Sequence, residues 1–360
     1  MKRWIALFLA LVFLILSSSC AADTVDVMRY GKSHITSNMY RYWLSSYKGT
    51  FMYTYSDMTD SAAFWDTVLY DDVTAEAYLN GAVEENVKRT LVCMELFREN
   101  GLKLSASAEE EIDSYIDELI RERAGGSKNV FNQELAKLGI NTEMLRDIYR
   151  YEKQASLLFY SLYTKGGPRA LTAEQLETYC RENYVRVRHI YINDAYAYET
   201  DENGNYRYND DGTLRIRDLT AEEAATKADA IAKIDADLQN GRDFEEIYKE
   251  YSEDTFYQNG YYLTKETDFI PEVVEAAFTL QVGESVKVKS EYGTHYLIRL
   301  EMDREPYNNQ ENSDFFSTFE SDAKNADFRA YLDTLLPQVE VNREEIDKYS
   351  IRDAAINYSI

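Results

Sequence analysis

The chain has 360 residues and a formal charge of −25, from 39 basic and 64 acidic side chains. This length allows two or three domains, and so acidic a protein is repelled by nucleic acid and by anionic lipid surfaces. We therefore expect no nucleic-acid partner. The three cysteines and three histidines show no spacing typical of a metal site, so no metal is expected.

The first 19 residues have the pattern of an export signal. Two basic residues precede an apolar run over residues 4–16, which suits a signal-peptide core and is short for a bilayer span. Cys20 follows small residues, as in a bacterial lipoprotein signal, although Ser17 stands where a large aliphatic residue is usual. We predict removal of residues 1–19, lipidation of Cys20 and anchoring at the outer face of the cell membrane. Ordinary cleavage after Ala22 is the alternative.

Residues 20–170 are predicted to form a helical region. The segment 79–94 repeats apolar residues at i, i+3 and i+4 spacing, which gives one apolar face. Ser107 and Glu110 have the spacing of a capping box at the start of the next amphipathic helix. A turn at Gly139 separates a short helix from a longer one.

Two proline-containing linkers divide the rest of the chain. Pro168 lies in "KGGPRA" and Pro306 in "DREPYNNQENS", and both segments have loop composition. They enclose a middle domain predicted over residues 171–303. Residues 304–360 are predicted to form a C-terminal helix that returns to the helical region, so that the middle domain is an insertion.

The apolar stripe of this last helix is the reason for that prediction, because an amphipathic helix needs a partner. We expect residues 304–335 to pack on the N-terminal helices and not on the middle domain. The residues of the stripe are Phe315, Phe319, Phe328, Tyr331 and Leu335.

The middle domain mixes helix and strand patterns. Its alternating segment "VRVRHIYIN" contains His189, and the closing hairpin "ESVKVKSEYGTHYLIRL" contains His295. Between them, two Asx-Gly pairs within residues 196–218 are strong hairpin signals. Two capping boxes are predicted at helix starts: Thr172 with Gln175, and Thr220 with Glu223.

Beyond Cys20 the chain has only two cysteines. Cys93 lies in the apolar helical context "TLVCMELF" and is predicted to be a buried small residue. A disulfide between Cys93 and Cys180 is left open, because sequence alone does not place their Cα atoms.

Four segments of the middle domain resemble, in order, the motifs of parvulin-type peptidyl-prolyl cis/trans isomerase (rotamase) domains. They are "VRVRHIYI", "DFEEIYKEYSED", "FIPEVVEAAFTLQVGE" and "SEYGTHYLIRLE", and the resemblance covers about residues 184–303. The segments "GLKLSASAEEEIDSYIDEL" and "LAKLGINTEMLRDIYRYEKQASLL" resemble the chaperone region of PrsA and SurA foldases.

The resemblance implies an α+β fold, in which a small antiparallel-sheet parvulin domain is inserted in a helical chaperone domain. It implies an extracytoplasmic peptidyl-prolyl isomerase and foldase whose substrates are X-Pro segments of unfolded or partly folded secreted polypeptides. A homodimer is left open. The alternative is a holdase chaperone whose parvulin domain is weak or inactive, because Val273 stands where the family usually has a pocket phenylalanine.

The resemblance implies a reaction that needs neither a metal nor an organic cofactor. It also implies a set of site residues. In parvulins, one histidine of the first strand and one of the last meet in the sheet, and His189 and His295 match these positions. Asp254 matches the cysteine or aspartate beside the target carbonyl. The positions implied to line the apolar proline pocket are Leu263, Phe269 and Val273.

Overall fold

A computed structural model describes residues 24–55 and 58–357. Cys20 and the predicted signal segment lie outside these residues. The chain divides into a flanking unit, Met1–Ala170 with Lys324–Ile360, and a middle unit, Leu171–Ala323.

Helices and small antiparallel sheets make up both units, which confirms the predicted α+β class. The helices are α1 Ser37–Thr54, α2 Ala62–Trp65, α3 Ala75–Glu99, α4 Ala106–Ala124, α5 Lys128–Lys137, α6 Thr142–Tyr163, α7 Ala173–Asn183, α8 Ala221–Gln239, α9 Phe244–Tyr251, α10 Pro271–Thr279, α11 Ser313–Phe316, α12 Phe319–Leu335 and α13 Arg343–Ile346. The strands are β1 Asp26–Tyr30, β2 Ser33–Thr36, β3 Val68–Tyr70, β4 Val73–Thr74, β5 Val185–Ile192, β6 Ala197–Tyr198, β7 Ile216–Arg217, β8 Tyr261–Leu263, β9 Ser285–Ser290, β10 Gly293–Leu300 and β11 Glu340–Val341.

The flanking unit contains a three-stranded sheet, β11-β1-β2, that the helical prediction missed. Met28 of β1 lies opposite Val341 of β11, so the two ends of the unit's chain meet in one sheet. Strands of two to five residues give little periodic signal, and a partner over 300 residues away gives none. One predicted cap is also wrong. α4 begins after Ser105, whose hydroxyl accepts the N–H of Ala108 at 3.1 Å, and not after Ser107.

The middle unit is built on a four-stranded antiparallel sheet in the order β8-β5-β10-β9. One face packs against α10 through a cluster that includes Val187 and Leu297, and the other packs against α8 and α9 through Ile190 and Tyr296. Because both faces are covered, the central strands β5 and β10 are largely buried. The short strand β8 was not predicted. Both capping boxes predicted for this unit are present.

The C-terminal stripe divides between the units, which corrects the prediction for residues 304–335. Phe315, Phe316 and Phe319 belong to the middle unit, where Phe316 stacks on Tyr184 with ring centroids 4.8 Å apart. Phe328 belongs to the flanking unit and lies 5.4 Å from the ring of Phe159. The first half of the stripe packs against an aromatic surface that the sequence pattern did not reveal, made by Tyr179 of α7, Tyr184 and the tyrosines of β8.

Cys93 and Cys180 are buried free thiols, and burial raises the pKa of each to about 12. Both cysteines are therefore unreactive at neutral pH. Among residues 24–55 and 58–357, no helix is long and apolar enough to cross a bilayer.

Candidate active site

The two strand histidines meet on one face of the sheet of the middle unit. His189 on β5 lies opposite Leu297, and His295 on β10 lies opposite Tyr191. The two histidines are therefore diagonal neighbours on adjacent strands, which brings long side chains within reach. Their rings are nearly parallel, with centroids 5.2 Å apart, and His189 Nε2 lies 2.9 Å from His295 Nδ1.

Asp254 continues this contact on the other side of His189. Its Oδ2 lies 2.8 Å from His189 Nδ1 and accepts the hydroxyl of Tyr261 at 2.6 Å. Its Oδ1 accepts the backbone N–H of Phe256 at 3.2 Å. The carboxylate is only 9% exposed, so it is the centre of a hydrogen-bond network and not a free group at a rim.

The charge of Asp254 follows from these bonds. Burial alone would raise its pKa, but the donors His189 and Tyr261 outweigh burial and hold the pKa below its usual range. Asp254 is therefore ionised at neutral pH although it is buried.

Ser290 ends the chain of hydrogen bonds at the far side, with its Oγ 2.7 Å from His295 Nε2. Because ionised Asp254 only accepts, His189 donates from Nδ1 and accepts at Nε2. His295 then donates from Nδ1 to His189 and accepts the Ser290 hydroxyl at Nε2. Ser290 Oγ accepts the backbone N–H of Tyr292 at 3.0 Å. In this arrangement each donor meets one acceptor, and both imidazoles carry a proton on Nδ1.

The burial of His295 makes the stability of the middle unit depend on pH. Its side chain is fully buried, and this burial, with the neighbouring His189 and Lys289, lowers its pKa from 6.5 to about 4. Between pH 6.5 and about 4, His295 is protonated in the unfolded chain but neutral in the folded chain. We therefore expect stability to fall as the pH drops from 6.5 to about 4, by up to about 1.4 kcal/mol per pH unit.

Urea unfolding of wild type and His295→Asn at several pH values checks this expectation. Asparagine keeps an N–H donor for His189 but does not titrate, so the difference in stability between the two proteins should shrink as the pH falls through this window. A difference that stays constant from pH 7 to pH 4 contradicts the assignment of a neutral, buried His295.

The three residues implied to form the proline pocket lie in different environments. Phe269 is partly buried, and its ring lies 5.9 Å from that of His189, edge to face. Leu263 and Val273 are at most 1% exposed and belong to the core cluster between the sheet and α10. Only Phe269 therefore offers surface beside the histidines, while Leu263 and Val273 lie in the core behind it.

Sequence reasoning missed two members of the network. The sequence motifs did not single out Tyr261, yet its hydroxyl donates to Asp254 and its ring lies 5.3 Å from that of Phe269. Ser290 begins the motif "SEYGTHYLIRLE", but nothing in the motif marked it as a partner of His295, because that contact depends on the hairpin that returns His295 beside it. Among the described residues, no group of His, Cys, Asp or Glu could hold a metal ion.

Comparison with known proteins agrees with this geometry. Residues 177–302 match the family model of the PPIC-type PPIASE domain. They contain β5, β8, β9, β10, both histidines and Asp254. The chain therefore carries a parvulin-type peptidyl-prolyl cis/trans isomerase domain.

Over most of its length the chain is similar to a foldase. It is 26% identical over 311 residues to the foldase protein PrsA of Caldanaerobacter subterraneus subsp. tengcongensis, which covers 82% of each chain. Among solved structures it matches PrsA from Bacillus subtilis, at 17% identity and a TM-score of 0.24, over 91% of this chain and 92% of that one. It also matches the peptidylprolyl isomerase PrsA from Bacillus cereus, at 16% identity and a TM-score of 0.28, over 78% and 94%. Because both TM-scores are low, the family assignment rests on the sequence matches and not on these superpositions.

Proposed function

We propose that the protein is an extracytoplasmic peptidyl-prolyl cis/trans isomerase that acts as a foldase on unfolded or partly folded secreted polypeptides. One observation carries the proposal. The buried chain Asp254–His189–His295–Ser290 lies beside the partly exposed Phe269, inside the segment that matches the isomerase family. The similarity to a foldase over 82% of the chain supports the wider role.

Peptidyl-prolyl isomerisation makes few chemical demands on such a site. Rotation about an X–Pro bond must break amide resonance, with a barrier of roughly 18–20 kcal/mol, and a thousandfold acceleration requires about 4 kcal/mol of selective stabilisation. The planar amide is the charge-separated form, with partial negative charge on oxygen. A water-poor site with an ionised carboxylate nearby disfavours that charge separation and so favours the twisted amide.

Each residue has a distinct role in this proposal. Asp254 supplies the negative charge beside the substrate carbonyl, and His189 and His295 hold that carboxylate in place through their fixed tautomers. Phe269 provides the face for the proline ring. Leu263 and Val273, also implied as pocket residues, are proposed to support Phe269 from the core side.

The experiment that tests the proposal separates isomerisation from simple holding. A protein whose refolding is limited by X–Pro isomerisation is refolded at low concentration, where aggregation does not compete. Substoichiometric amounts of residues 21–360 should increase the rate of the slow phase in proportion to their concentration. If the slow phase is unchanged while aggregation of a second, aggregation-prone client is suppressed, the holdase alternative replaces the isomerase.

The holdase alternative has its own observation. The flanking unit exposes several large apolar side chains: Tyr53, Tyr55, Met58, Val68, Leu69, Tyr70 and Tyr78. Exposed apolar surface of this kind suits contact with unfolded chains. Holding and isomerisation can therefore coexist in one protein, since these residues and the histidines belong to different units.

The lipid anchor is part of the proposal and rests on the sequence alone. Replacing Cys20 with alanine should release the protein into the medium or leave it as an unprocessed precursor, because the acylated thiol is lost. Cell fractionation of wild type and Cys20→Ala checks this outcome, with Cys93→Ala as the matched control that should stay with the membrane. Unchanged processing and membrane retention in Cys20→Ala contradict lipidation.

A further inference from the structure

The middle unit contains an exposed segment that the candidate active site does not use. We call residues 194–218 the arm; they lie between β5 and α8 and contain the paired strands β6 and β7. Isolated bridges join Thr200 to Tyr206 and Tyr208 to Leu214. The arm is thus an ordered, irregular hairpin and not an unstructured loop.

Hydrogen bonds, and not an apolar core, fix the shape of the arm. The side chain of Asp201 accepts the backbone N–H groups of Asn203 and Asn205, at 2.8 and 2.9 Å. The backbone N–H of Glu199 donates to the carbonyl of Arg215 at 2.8 Å. The apolar side chains of the arm are therefore not needed to fold it. A surface ordered in advance also loses little entropy when it binds.

A row of tyrosines connects the arm to the candidate active site. Tyr191 stacks on His295 with ring centroids 5.1 Å apart, and its hydroxyl interacts with that of Tyr196. The row continues from Tyr196 to Tyr198 at 5.5 Å and from Tyr198 to Tyr206 at 5.7 Å.

The outer part of the row is accessible. Tyr198 is 38% exposed, Tyr206 is 55% exposed, and Ile216, which pairs with Tyr198 across the strands, is 58% exposed. Tyrosine gives a large contact area at low cost in side-chain entropy. A run of such rings that continues directly from the histidine pair is an accessible continuation of the candidate active site.

The charge of the arm indicates which chains it would attract. Residues 194–218 hold seven acidic and three basic side chains, which is a net charge of −4. Lysine and arginine are attracted to such a surface, and their side chains also bind the faces of tyrosine rings. An acidic polypeptide would be repelled.

We infer that the arm extends the substrate cleft. The tyrosine row binds the residues that flank the X–Pro bond in an extended, unfolded polypeptide, with a preference for aromatic and basic side chains. This inference rests on the proposed isomerase function, whose site would hold the proline itself. A long unfolded substrate would then gain contacts that a minimal proline peptide lacks.

Two peptides that share one X–Pro bond test the inference. One is a tetrapeptide, and the other is a dodecapeptide with phenylalanine and lysine on both sides of the bond. Replacing Tyr198 and Tyr206 together with serine should lower kcat/KM for the dodecapeptide, and raise its Kd, by roughly tenfold. Activity on the tetrapeptide should stay unchanged, which also shows that the unit is folded.

Two control variants make the comparison specific. Replacing the same two tyrosines with phenylalanine keeps the rings and should keep the dodecapeptide activity. Val282→Ser removes an equally exposed apolar side chain, 55% exposed, from the turn that precedes the start of β9. Because Ser290 is at the other end of that strand, this substitution should change nothing. Equal loss with both peptides, no loss with either, or the same loss in Val282→Ser overturns the inference. If wild type turns over neither peptide, the proposed isomerase function fails, and the Kd for the dodecapeptide still decides the role of the arm.

Discussion

Replacing His189 with alanine should lower the free energy of unfolding of the middle unit by about 3–5 kcal/mol. The variant leaves the ionised, buried Asp254 without one of its donors and leaves the Nδ1–H of His295 without an acceptor. It also opens a cavity at a buried position of the sheet, where His189 is 4% exposed. This loss is a large fraction of the stability of a typical domain.

Hydrogen exchange, measured by mass spectrometry on peptides covering β5 and β10, reports the stability of the middle unit specifically. Of the three tryptophans, Trp43 and Trp65 lie in the flanking unit and Trp4 lies in the predicted signal segment, so tryptophan fluorescence would not report on the middle unit. His34 is the natural control, because its side chain is 51% exposed on β2, and His34→Ala should change stability by no more than about 0.5 kcal/mol. Equal effects of the two substitutions would contradict the buried network.

Replacing Asp254 with alanine should lower isomerase kcat/KM by about 100-fold, the size of effect seen when one preorganised electrostatic group is removed. The variant removes the buried negative charge and releases His189 and Tyr261 from their common acceptor. Those unpaired donors also make the unit less stable, so the assay must be run where the variant is demonstrably folded.

Asp303 offers a matched control for this variant. It also accepts a tyrosine hydroxyl, that of Tyr262 at 2.7 Å, and pairs with Arg186, but its side chain is half exposed and has no histidine partner. Asp303→Ala should therefore keep most of the activity. Full activity in Asp254→Ala, or an equal loss in Asp303→Ala, would remove Asp254 from the proposed mechanism.

The histidine pair could be predicted because its signal is local. Each histidine lies in an alternating strand pattern. The order of the motifs matches that of parvulin-type domains, which predicted that both strands lie in the centre of one sheet. The face that a strand residue occupies follows from a period of two. His189 and His295 therefore needed only the correct pairing of β5 with β10, which the structure shows.

The rest of the network depended on contacts that no single segment encodes. Tyr261 reaches Asp254 because the three-residue strand β8 pairs with β5, and so short a strand has no clear periodicity. Ser290 reaches His295 across the tight hairpin between β9 and β10. Gly293, at the start of β10, permits the close approach of β5, since a Cβ there would lie 2.3 Å from the carbonyl oxygen of Ile192.

The C-terminal stripe shows a different limit of sequence patterns. An apolar face predicts that a helix packs against something, but not against which partner. Phe319 and Phe328 lie on the same predicted face and the same helix, α12, yet they belong to different units. The aromatic residues around each phenylalanine determine the unit in which it packs.

Exchange spectroscopy on a proline-containing peptide tests the central claim most directly. Residues 21–360 are added in catalytic amounts to a peptide whose cis and trans forms give separate NMR signals, and exchange is measured on a time scale far shorter than the uncatalysed tens of seconds. We expect cis–trans exchange cross-peaks with wild type that vanish with Asp254→Ala and persist with Asp303→Ala. Absence of exchange with wild type, under conditions where the peptide is shown to bind, would contradict the assignment of isomerase activity to this site.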